Sequence, residues 1–429
     1  MRILLIGAGG FIGQAVAARL AHQGHLVVAV GRTFVAAEIQ RFERVCLDLR
    51  RMLAEDAWLP HLKDIDAVIN CAGVLQDNDR DATAAVHAEA PKALFKACET
   101  AGVRRVIHLS AIGVDRETPT AFSMTKRQGE AALKATTLEW VILRPSVVVG
   151  QGAYGGSALF RGLAALPIVP RMRQAGQLQI VQLEDLVRTI VFFLGRTAPT
   201  RIELDIAGPD RLTFDEVVAA YRAWLGWKPA LRIALPQWLM SVLFRVGDFV
   251  GVLGWRAPIR TTAQREIVRG AIGDPGPWTS ATGITPTGLT TALAAEPATV
   301  QEKWFARLYL LKPAAFAVFS LFWITTAVMS LGPGWDIGVA LMEEGGVSGL
   351  SAKLTVVAGA LADVCIGLGI AWRRTTRPAL WAAFALSLVY VVIGTLLVPR
   401  LWIDPLGPML KIWPVLALNL MLLAILEER

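Results

Sequence analysis

Three glycines at regular spacing stand near the start of the chain and suit the binding of a phosphate-bearing ligand. Gly7, Gly10 and Gly13 follow a short apolar run and precede a stretch with helical periodicity. In that context the first glycine permits a tight turn, the second lets the backbone approach a pyrophosphate, and the third lets the helix pack against the strand. The first amides of the helix, at Phe11 and Ile12, would face the phosphates. The spacing therefore predicts a dinucleotide site.

The end of the second predicted strand bears on which dinucleotide is bound. Residues 26–30 lead into Gly31-Arg32, and no acid stands where a free ribose 2′-hydroxyl usually meets one. An arginine at this point suits a 2′-phosphate. Arg32 therefore favours NADP(H) over NAD(H), the alternative being a solvated arginine at the start of a loop.

Alternating strands and helices would position these residues through about residue 295. Strands are predicted over residues 3–6, 26–30, 45–47, 67–69, 106–109 and 140–143. Helices are predicted over residues 11–23 and 82–101, and Gly102 is a C-cap signal for the second. This succession predicts an α/β fold of Rossmann type, with a doubly wound parallel sheet.

Composition excludes a chain that is soluble throughout. Of the 429 residues, 54% are hydrophobic and the mean hydropathy is +0.48. The net charge is +8, but the sequence has no long run of basic residues. Binding to an anionic membrane surface therefore explains the positive charge better than binding to nucleic acid does. The four cysteines form no C-x-x-C pair and the five histidines are scattered, so no metal site is expected. The absence of a signal peptide predicts that the N-terminal part stays in the cytosol.

The last third of the chain supplies four candidate membrane spans. They lie near residues 313–332, 354–372, 378–398 and 405–426, and about 20 apolar residues suffice to cross a bilayer. Lys and Arg flank the first span and join the second to the third, whereas Asp and Glu dominate the loop between the first two. By the positive-inside rule the chain is a multi-pass inner-membrane protein with both termini in the cytoplasm. Asp363 would be a proton or quinone-headgroup site, or a protonated acid bonded to Asn419 or Thr395.

Residues 1 to about 295 resemble the extended and atypical short-chain dehydrogenase/reductase superfamily, and above all the branch that includes the NADPH-binding accessory subunit of complex I. The matching pieces are the turn at 7–13, Asp48-Leu49, Asn70-Cys-Ala-Gly73, residues 103–110, Thr125-Lys126, Leu143-Arg-Pro-Ser146, Ala207-Gly-Pro209 with Thr213, and Thr282-Gly-Ile-Thr-Pro286 with Leu289. The resemblance implies a nicotinamide cofactor with Asp48 and Leu49 near its adenine, and Ala72, Gly73, Lys126 and Pro145 along it.

The resemblance fails at one catalytic position. The superfamily pairs a lysine with a tyrosine four residues earlier; Lys126 fits, but Phe122 stands where the tyrosine should be and cannot transfer a proton. Ser110 offers a hydroxyl, and Tyr154 is a possible substitute. The chain is then either a membrane-anchored oxidoreductase acting on an apolar, isoprenoid or quinone-like substrate, or a non-catalytic NADPH-binding module that stabilises or regulates a membrane complex. A weaker alternative is a transporter that senses nucleotide.

The four spans resemble the DoxX-like family of four-helix membrane proteins over about residues 305–426. The expected domains are a nucleotide-binding domain over 1–200, a substrate-side lobe over 201–300 and a membrane domain over 301–429. Within the lobe, residues 235–255 are very apolar but interrupted by charges. They would form either an interfacial helix or a roof over the substrate pocket.

Overall fold

The computed structural model of the protein describes residues 1–32, 34, 42–75, 77, 82–115, 120–172, 174–255 and 259–426. The chain divides into two compact units. The first comprises Met1–Asp248 and Ala257–Ala306, and the second comprises Phe249–Arg256 and Arg307–Arg429. Each unit has a hydrophobic core of its own.

The strands of the described residues all belong to the first unit. They are β1 (Arg2–Ile6), β2 (Leu26–Gly31), β3 (Glu43–Cys46), β4 (Ala67–Asn70), β5 (Arg105–Leu109), β6 (Glu139–Pro145), β7 (Val147–Val149), β8 (Ile168–Pro170), β9 (Ile180–Gln182), β10 (Ile202–Ile206) and β11 (Leu231–Ile233). Seven of them form a parallel sheet in the order β10-β6-β5-β4-β1-β2-β3. Two parallel pairs, β11 with β8 and β7 with β9, lie outside it.

Helices follow most of the strands and form the whole of the C-terminal region. They are α1 (Phe11–His22), α2 (Glu55–Trp58), α3 (Ala90–Ala101), α4 (Ala121–Lys134), α5 (Gly155–Ala164), α6 (Leu183–Phe192), α7 (Phe214–Trp224), α8 (Gln237–Val252), α9 (Thr261–Arg269), α10 (Gly276–Thr282), α11 (Leu289–Ala295), α12 (Val300–Leu331), α13 (Trp335–Glu344), α14 (Gly349–Ala371), α15 (Thr376–Leu397) and α16 (Ile412–Ile425). Shorter turns are 3-10 at Leu49–Arg51, Leu59–His61 and Pro399–Trp402, and π-helical at Ala85–Glu89.

The parallel sheet is buried on both faces, which explains its nearly continuous apolar strands. Alternate residues of a strand point to opposite faces. Accordingly Ile3 and Leu5 of β1 join one core cluster, whereas Leu4 and Ile6 join the other. The predicted Rossmann-type sheet is confirmed. Gly102 ends α3 with a φ of +73°, so the predicted C-cap is confirmed as well.

One strand extends the main sheet from a distant part of the sequence. β10 lies within the range assigned from sequence to the substrate-side lobe, and it pairs in parallel with β6 along Ile202–Ile206. The sheet edge on that side is therefore built by a segment that follows α6 in the chain.

Three helices among the described residues are long and apolar enough to cross a membrane: Val300–Leu331, Gly349–Ala371 and Thr376–Leu397. The first continues through Pro313, where the sequence predicted a span to begin. The fourth predicted span, residues 405–426, is α-helical only over Ile412–Ile425. Pro405 and Pro408 explain the shortfall, because proline lacks the N–H that a helix interior needs. Residues predicted as the acidic loop include helix α13.

A hydrogen-bonded acid lies inside the second unit. Asp363 is buried, and the hydroxyl of Tyr390 donates to its Oδ1 at 2.9 Å. The proposed bonding of Asp363 to Asn419 or Thr395 is wrong. Asn419 donates its amide to the carbonyl of Leu380 at 3.0 Å, and Thr395 donates to the main chain of its own helix. Asp363 is bonded to Tyr390 instead, because the packing of α14 against α15 places the Tyr390 hydroxyl within hydrogen-bond distance of the carboxyl group.

Candidate cofactor and active site

The parallel sheet reverses its strand order between β1 and β4. The chain runs from β1 through β3 to one side and places β4, β5, β6 and β10 on the other. Loops after β1 and β4 meet there: a methyl group at Gly7 would lie 2.8 Å from the amide nitrogen of Ala72, and Gly7 has a φ of +78°. In open α/β sheets such a switch point is where ligands bind, outside the carboxyl ends of the strands.

The glycine turn packs as the spacing predicts. The amide of Gly10 donates to the carbonyl of Gly7 at 2.9 Å and closes the turn. A methyl group at Gly13 would lie 2.1 Å from that same carbonyl oxygen, whereas one at Gly10 would lie 3.2 Å from it. Gly13 is therefore the position at which α1 touches the turn most closely.

The first turn of α1 suits an anion. The helix begins at Phe11, and its N-cap Gly10 has no side chain to occupy the first amides. This turn, including Ile12 and Gly13, lies wholly within the described residues and contains no acidic residue. Helix N-termini attract negative charge, so the residues present fit the pyrophosphate of a dinucleotide cofactor.

Asp48, expected near the adenine, is bonded to a neighbouring arginine. Asp48 caps the turn Leu49–Arg51 by accepting the amide of Arg50 at 3.1 Å, and it accepts the guanidinium of Arg50 at 2.6 Å. Arg50, and more weakly Arg32, hold the pKa of Asp48 below its ordinary value. The positive charge of Arg32, expected at a 2′-phosphate, therefore acts on Asp48.

Lys126 reaches from α4 to the crevice. Its buried Nζ donates to the carbonyl of Leu109 at 2.7 Å and to that of Ala72 at 3.3 Å. A methyl group at Gly73 would lie 3.4 Å from Nζ, so the ammonium sits directly against the loop after β4. Burial lowers the pKa of Lys126 to about 8, with Cys71 and a nearby carboxylate partly opposing the shift. An amine with this pKa can hold or release a proton near neutral pH.

A buried ion pair fixes the helix that carries Lys126. Arg144 of β6 donates to both carboxylate oxygens of Glu130 on α4, at 2.9 and 2.6 Å, and this pairing raises the pKa of Arg144. The bidentate geometry sets the distance between helix and strand. Pro145 follows in the same strand, and its carbonyl accepts the amide of Ile112 at 3.1 Å, which ties down the chain beyond β5.

His87 is hydrogen-bonded to the loop after β4 and to α4. It was not identified from the sequence as part of the site. Its Nε2 accepts the amide of Val74 at 3.0 Å, and its Nδ1 lies 2.9 Å from the hydroxyl of Thr125. That hydroxyl donates to the carbonyl of Ala121, so His87 is neutral with its proton on Nδ1. Burial and the charge of Lys126 lower the pKa of His87 to about 2, which keeps it neutral at physiological pH.

His108 was also missed, and it supports the same loop through Asn70. Asn70 accepts the amide of Ala72 at 3.1 Å and lies 3.2 Å from Nδ1 of His108. Because the carbonyl oxygen of Asn70 is engaged, its amide group donates to His108. Burial lowers the pKa of His108 to about 3. A signal for this pair was present in the sequence, since Asn70 directly follows the predicted strand 67–69 and His108 lies in the predicted strand 106–109, two residues before Ser110.

The remaining catalytic candidates occupy different places. Ser110 is buried after β5, and its hydroxyl has no hydrogen-bond partner among the described residues. Phe122 lies on the first turn of α4 with its ring edge-on to that of His87, 5.4 Å between centroids. Tyr154 stacks in parallel on Phe11 at 5.7 Å and is 44% exposed. The structure thus puts Tyr154 against the glycine turn.

Two family models match separate parts of the chain. Residues 7–161 match a family described as NAD(P)H-binding, and residues 320–420 match the DoxX-like family. The first agrees with the glycine turn and crevice, and the second with the apolar helices α12, α14 and α15.

Curated relatives match the N-terminal region. Uncharacterized proteins of Mycobacterium tuberculosis and Mycobacterium bovis are 28% identical over 249 residues, 58% of this chain, and the chain spans only 25% of their length. Ceramide reductase of Caulobacter vibrioides is 25% identical over 238 residues, covering 55% of this chain and 74% of that protein. Mitochondrial NADH dehydrogenase (ubiquinone) 1 alpha subcomplex subunit 9 of Dictyostelium discoideum is 24% identical over 220 residues, covering 49% and 60%.

Solved structures agree on the fold. UDP-glucuronic acid 4-epimerase from Bacillus cereus, determined with UDP-glucuronic acid and NAD, superimposes with a TM-score of 0.54 at 18% identity. The match covers 72% of this chain and 100% of that one. The sequence-based resemblances are confirmed: the N-terminal part of this chain matches an NAD(P)H-binding family and has a Rossmann-type fold, and the C-terminal part, with its apolar helices, matches the DoxX-like family.

Proposed function

We propose that the chain is a membrane-anchored, NADPH-dependent reductase of a carbonyl on an apolar, lipid-like or quinone-like substrate. The observation that carries the proposal is the buried ammonium of Lys126 at the crevice, close to the loops after β4 and β5. Ser110 follows β5, and within the part of the chain that the structure describes its hydroxyl has no hydrogen-bond partner. A lysine and a hydroxyl at a dinucleotide crevice are the parts that carbonyl reduction needs from the protein.

A bound nicotinamide cofactor would supply a hydride to the carbonyl carbon. The carbonyl oxygen must also gain a proton, so that a ketone yields an alcohol and a quinone yields a hydroquinone. Ser110 donates a hydrogen bond to that oxygen through its Oγ. The ammonium of Lys126 gives up the proton, which reaches the oxygen through a water molecule, and Lys126 regains a proton from solvent. Phe122 has no hydroxyl and cannot donate this proton. The ammonium of Lys126, whose pKa is lowered to about 8 by burial, donates it in place of a tyrosine phenol.

An apolar substrate is supported by two observations. The DoxX-like domain and three apolar helices hold the chain at a bilayer, where lipid and quinone carbonyls are concentrated. Ceramide reductase of Caulobacter vibrioides, which is similar over more than half of this chain, is named for activity on a lipid. Both favour a long-chain or polyprenyl substrate over a sugar nucleotide.

Turnover is the direct test of the proposal. The purified full chain in liposomes is mixed with NADPH and a panel of long-chain 3-keto lipids, polyprenyl ketones and short-chain quinones, and the NADPH absorbance is followed. We expect at least one carbonyl class to oxidise NADPH with saturation kinetics. Tight NADPH binding without oxidation by any member of the panel would contradict the reductase.

Arg32 is proposed to select NADPH. A charge-assisted bond to a 2′-phosphate is worth about 1.5–3 kcal/mol, so Arg32→Ala should weaken NADPH binding about 10- to 100-fold and leave NADH nearly unchanged. Isothermal titration of both cofactors checks this, with Arg51→Ala as a nearby control of the same charge. Equal affinity of the wild type for the two cofactors would overturn the assignment.

Phe122→Tyr restores the missing phenol four residues before Lys126. Phe122 lies on the first turn of α4, and its ring contacts the ring of His87. We expect the variant to keep the rate of a reductase or raise it by up to about 10-fold, since an added general acid contributes at most what the existing donor lacks. The measured quantity is kcat with the best substrate of the panel. A fall of more than about 10-fold would show that the proton path through Lys126 cannot accommodate a phenol.

The proposed orientation places both termini in the cytoplasm. Ser348 precedes α14 and Thr375 follows it, so they lie at opposite ends of this helix, and both are exposed. In a chain whose exposed Cys46 and Cys365 are replaced by serine, we expect a membrane-impermeant maleimide to label Ser348→Cys from the periplasmic side but not Thr375→Cys. Labelling of Thr375→Cys in intact cells would reverse the orientation.

A second function, a non-catalytic NADPH-binding module, is favoured by Phe122 itself. The superfamily's usual acid is missing, and the Dictyostelium discoideum relative is named as a subunit of NADH dehydrogenase. In that case NADPH raises the midpoint of thermal unfolding by mass action, yet no carbonyl oxidises it. The same titration and panel therefore separate the two functions.

A further inference from the structure

Helix α8 turns an apolar face outward. Trp238, Val242, Val246 and Phe249 recur at spacings of three or four residues, which places them on one face. All four are exposed, Trp238 at 67% and Phe249 at 64%. Arg245 is the one charged residue on this face. A helix on the surface of a soluble domain shows the opposite arrangement, with its polar face outward.

The opposite face of α8 is held tightly by other residues of the first unit. A methyl group at Gly247 would lie 1.6 Å from the carbonyl oxygen of Ile259, so the helix backbone rests directly on that segment. Asp248 accepts the amide of Thr261 at 3.2 Å and the guanidinium of Arg260 at 3.3 Å. Phe244 on this side is 3% exposed. The helix therefore cannot bury Trp238 or Phe249 by rolling over.

The turn after α8 is fixed to the end of a membrane-spanning helix. Residues Phe249–Arg256 belong to the second unit. The indole of Trp255 donates to the carbonyl of Ala371, the last residue of α14, at 2.7 Å, and Arg373 donates its amide to Leu253 at 3.0 Å. The guanidinium of Arg373 lies over the ring of Trp255 at 5.5 Å. Trp and Arg at the end of a span are typical of the boundary between headgroups and acyl chains.

We propose that α8 lies in the plane of the bilayer surface, with Trp238, Val242, Val246 and Phe249 among the acyl chains. Its last turn, from Phe249, belongs to the second unit, and the residues that follow it, Leu253 and Trp255, are bonded to the end of α14. The C-terminal end of α8 therefore lies where that apolar span ends. Arg245 fits this position because its long stem reaches from an apolar face to lipid phosphates. The partner is therefore the lipid surface, and anionic headgroups suit Arg245 and Arg373. This proposal holds whether or not the chain is a reductase.

Spin labels test the location of α8. In a chain with Cys46→Ser and Cys365→Ser, a nitroxide is placed at Val242→Cys or Val246→Cys. The full chain is reconstituted in liposomes that contain anionic lipid, whose surface charge attracts basic side chains. Collision with oxygen reports lipid, and collision with a water-soluble nickel chelate reports water. Leu388→Cys, exposed on the span α15, is the lipid standard, and Lys63→Cys, exposed on the first unit, is the water standard.

We expect the ratio of oxygen to nickel collisions at Val242 and Val246 to match Leu388 and to exceed that at Lys63 several-fold. A ratio like that of Lys63 would show that the face is in water and would overturn the proposal. Low collision rates with both reagents would show that protein covers the face, through a second copy or another subunit, and would also overturn it. Two label positions and an unchanged midpoint of thermal unfolding guard against a misfolded variant.

Discussion

Gly13→Ala is expected to weaken the binding of both nicotinamide cofactors at least about 10-fold. The new methyl group would lie 2.1 Å from the carbonyl oxygen of Gly7, well inside van der Waals contact, and both atoms belong to packed backbone. Helix α1 can only relieve this by moving away from the turn, which separates its first amides from the site of the pyrophosphate. Overpacking of this kind costs about 1–3 kcal/mol or more, so NADPH affinity should fall at least about 10-fold and NADH affinity with it.

Titration of both cofactors and the midpoint of thermal unfolding measure this effect. Gly156→Ala is the matched control, because its methyl group would make an ordinary contact 3.7 Å from Val147. The control should bind like the wild type. Wild-type affinity in Gly13→Ala would mean that the cofactor does not sit on this turn.

Lys126→Met is expected to lower turnover by about 100-fold or more, the usual range for loss of a proton-transferring group. Its net effect on stability should be small, because the loss of the two hydrogen bonds from Nζ to Leu109 and Ala72 is offset by the removal of a buried charge. Burial lowers the pKa of Lys126 to about 8 from 10.5, which corresponds to a cost on the order of 3 kcal/mol for holding the charge at neutral pH. Methionine carries no such cost. A variant that is as stable as the wild type but inactive places the defect in chemistry.

The pH dependence follows with a definite sign. Below pH 8 Lys126 is charged in both the folded and the unfolded chain, and the burial cost is fully present. As the pH rises from about 8 to 10.5 the folded chain binds fewer protons than the unfolded one, so the free energy of unfolding of the wild type rises relative to Lys126→Met. Turnover that depends on the ammonium should fall as the pH passes 8.

Lys134→Met is the control for this prediction. Lys134 lies on the same helix, but it is partly exposed and pairs with Glu203 at the surface. It should keep wild-type turnover and the same pH profile. Equal activity of Lys126→Met and Lys134→Met would remove Lys126 from the mechanism.

Most of the first unit could be predicted from its sequence because its signals are local. Short apolar runs followed by glycine or polar residues predict the strands of the parallel sheet. The spacing of Gly7, Gly10 and Gly13 predicts the turn between β1 and α1. The position of β10 could not be predicted, because its pairing with β6 joins segments that are far apart in the chain. Periodicity reports which face of an element is buried but not which neighbour covers it.

The hydrogen bonds of His87, which hold the loop after β4 at the candidate site, could not be predicted for a similar reason. His87 acts through Val74 and Thr125, which approach it from two different elements. Its backbone adds a second feature: Pro91 has no N–H to give to the carbonyl of His87, and Gly129 packs against that carbonyl. A scattered histidine in the sequence gives no sign of such a network.

In the second unit, hydropathy predicted where the long apolar helices lie but not how each one ends. Pro313 suggested the start of a span, yet α12 continues through it. The segment from Pro405 to Pro408 was counted as part of a span, yet the helix begins only at Ile412. Asp363 was recognised as needing a partner, and the choice of Tyr390 depended on the packing of two helices.

The transfer of the hydride itself tests the central claim most directly. NADPH carrying deuterium at both C4 positions of the nicotinamide is incubated with the full chain in liposomes and the ketone that best oxidises NADPH. Mass spectrometry then measures deuterium at the carbinol carbon of the product. The proposed reductase predicts one deuterium per product molecule with the wild type and a rate about 100-fold lower with Lys126→Met. An alcohol without deuterium, or no alcohol despite bound NADPH, would contradict it.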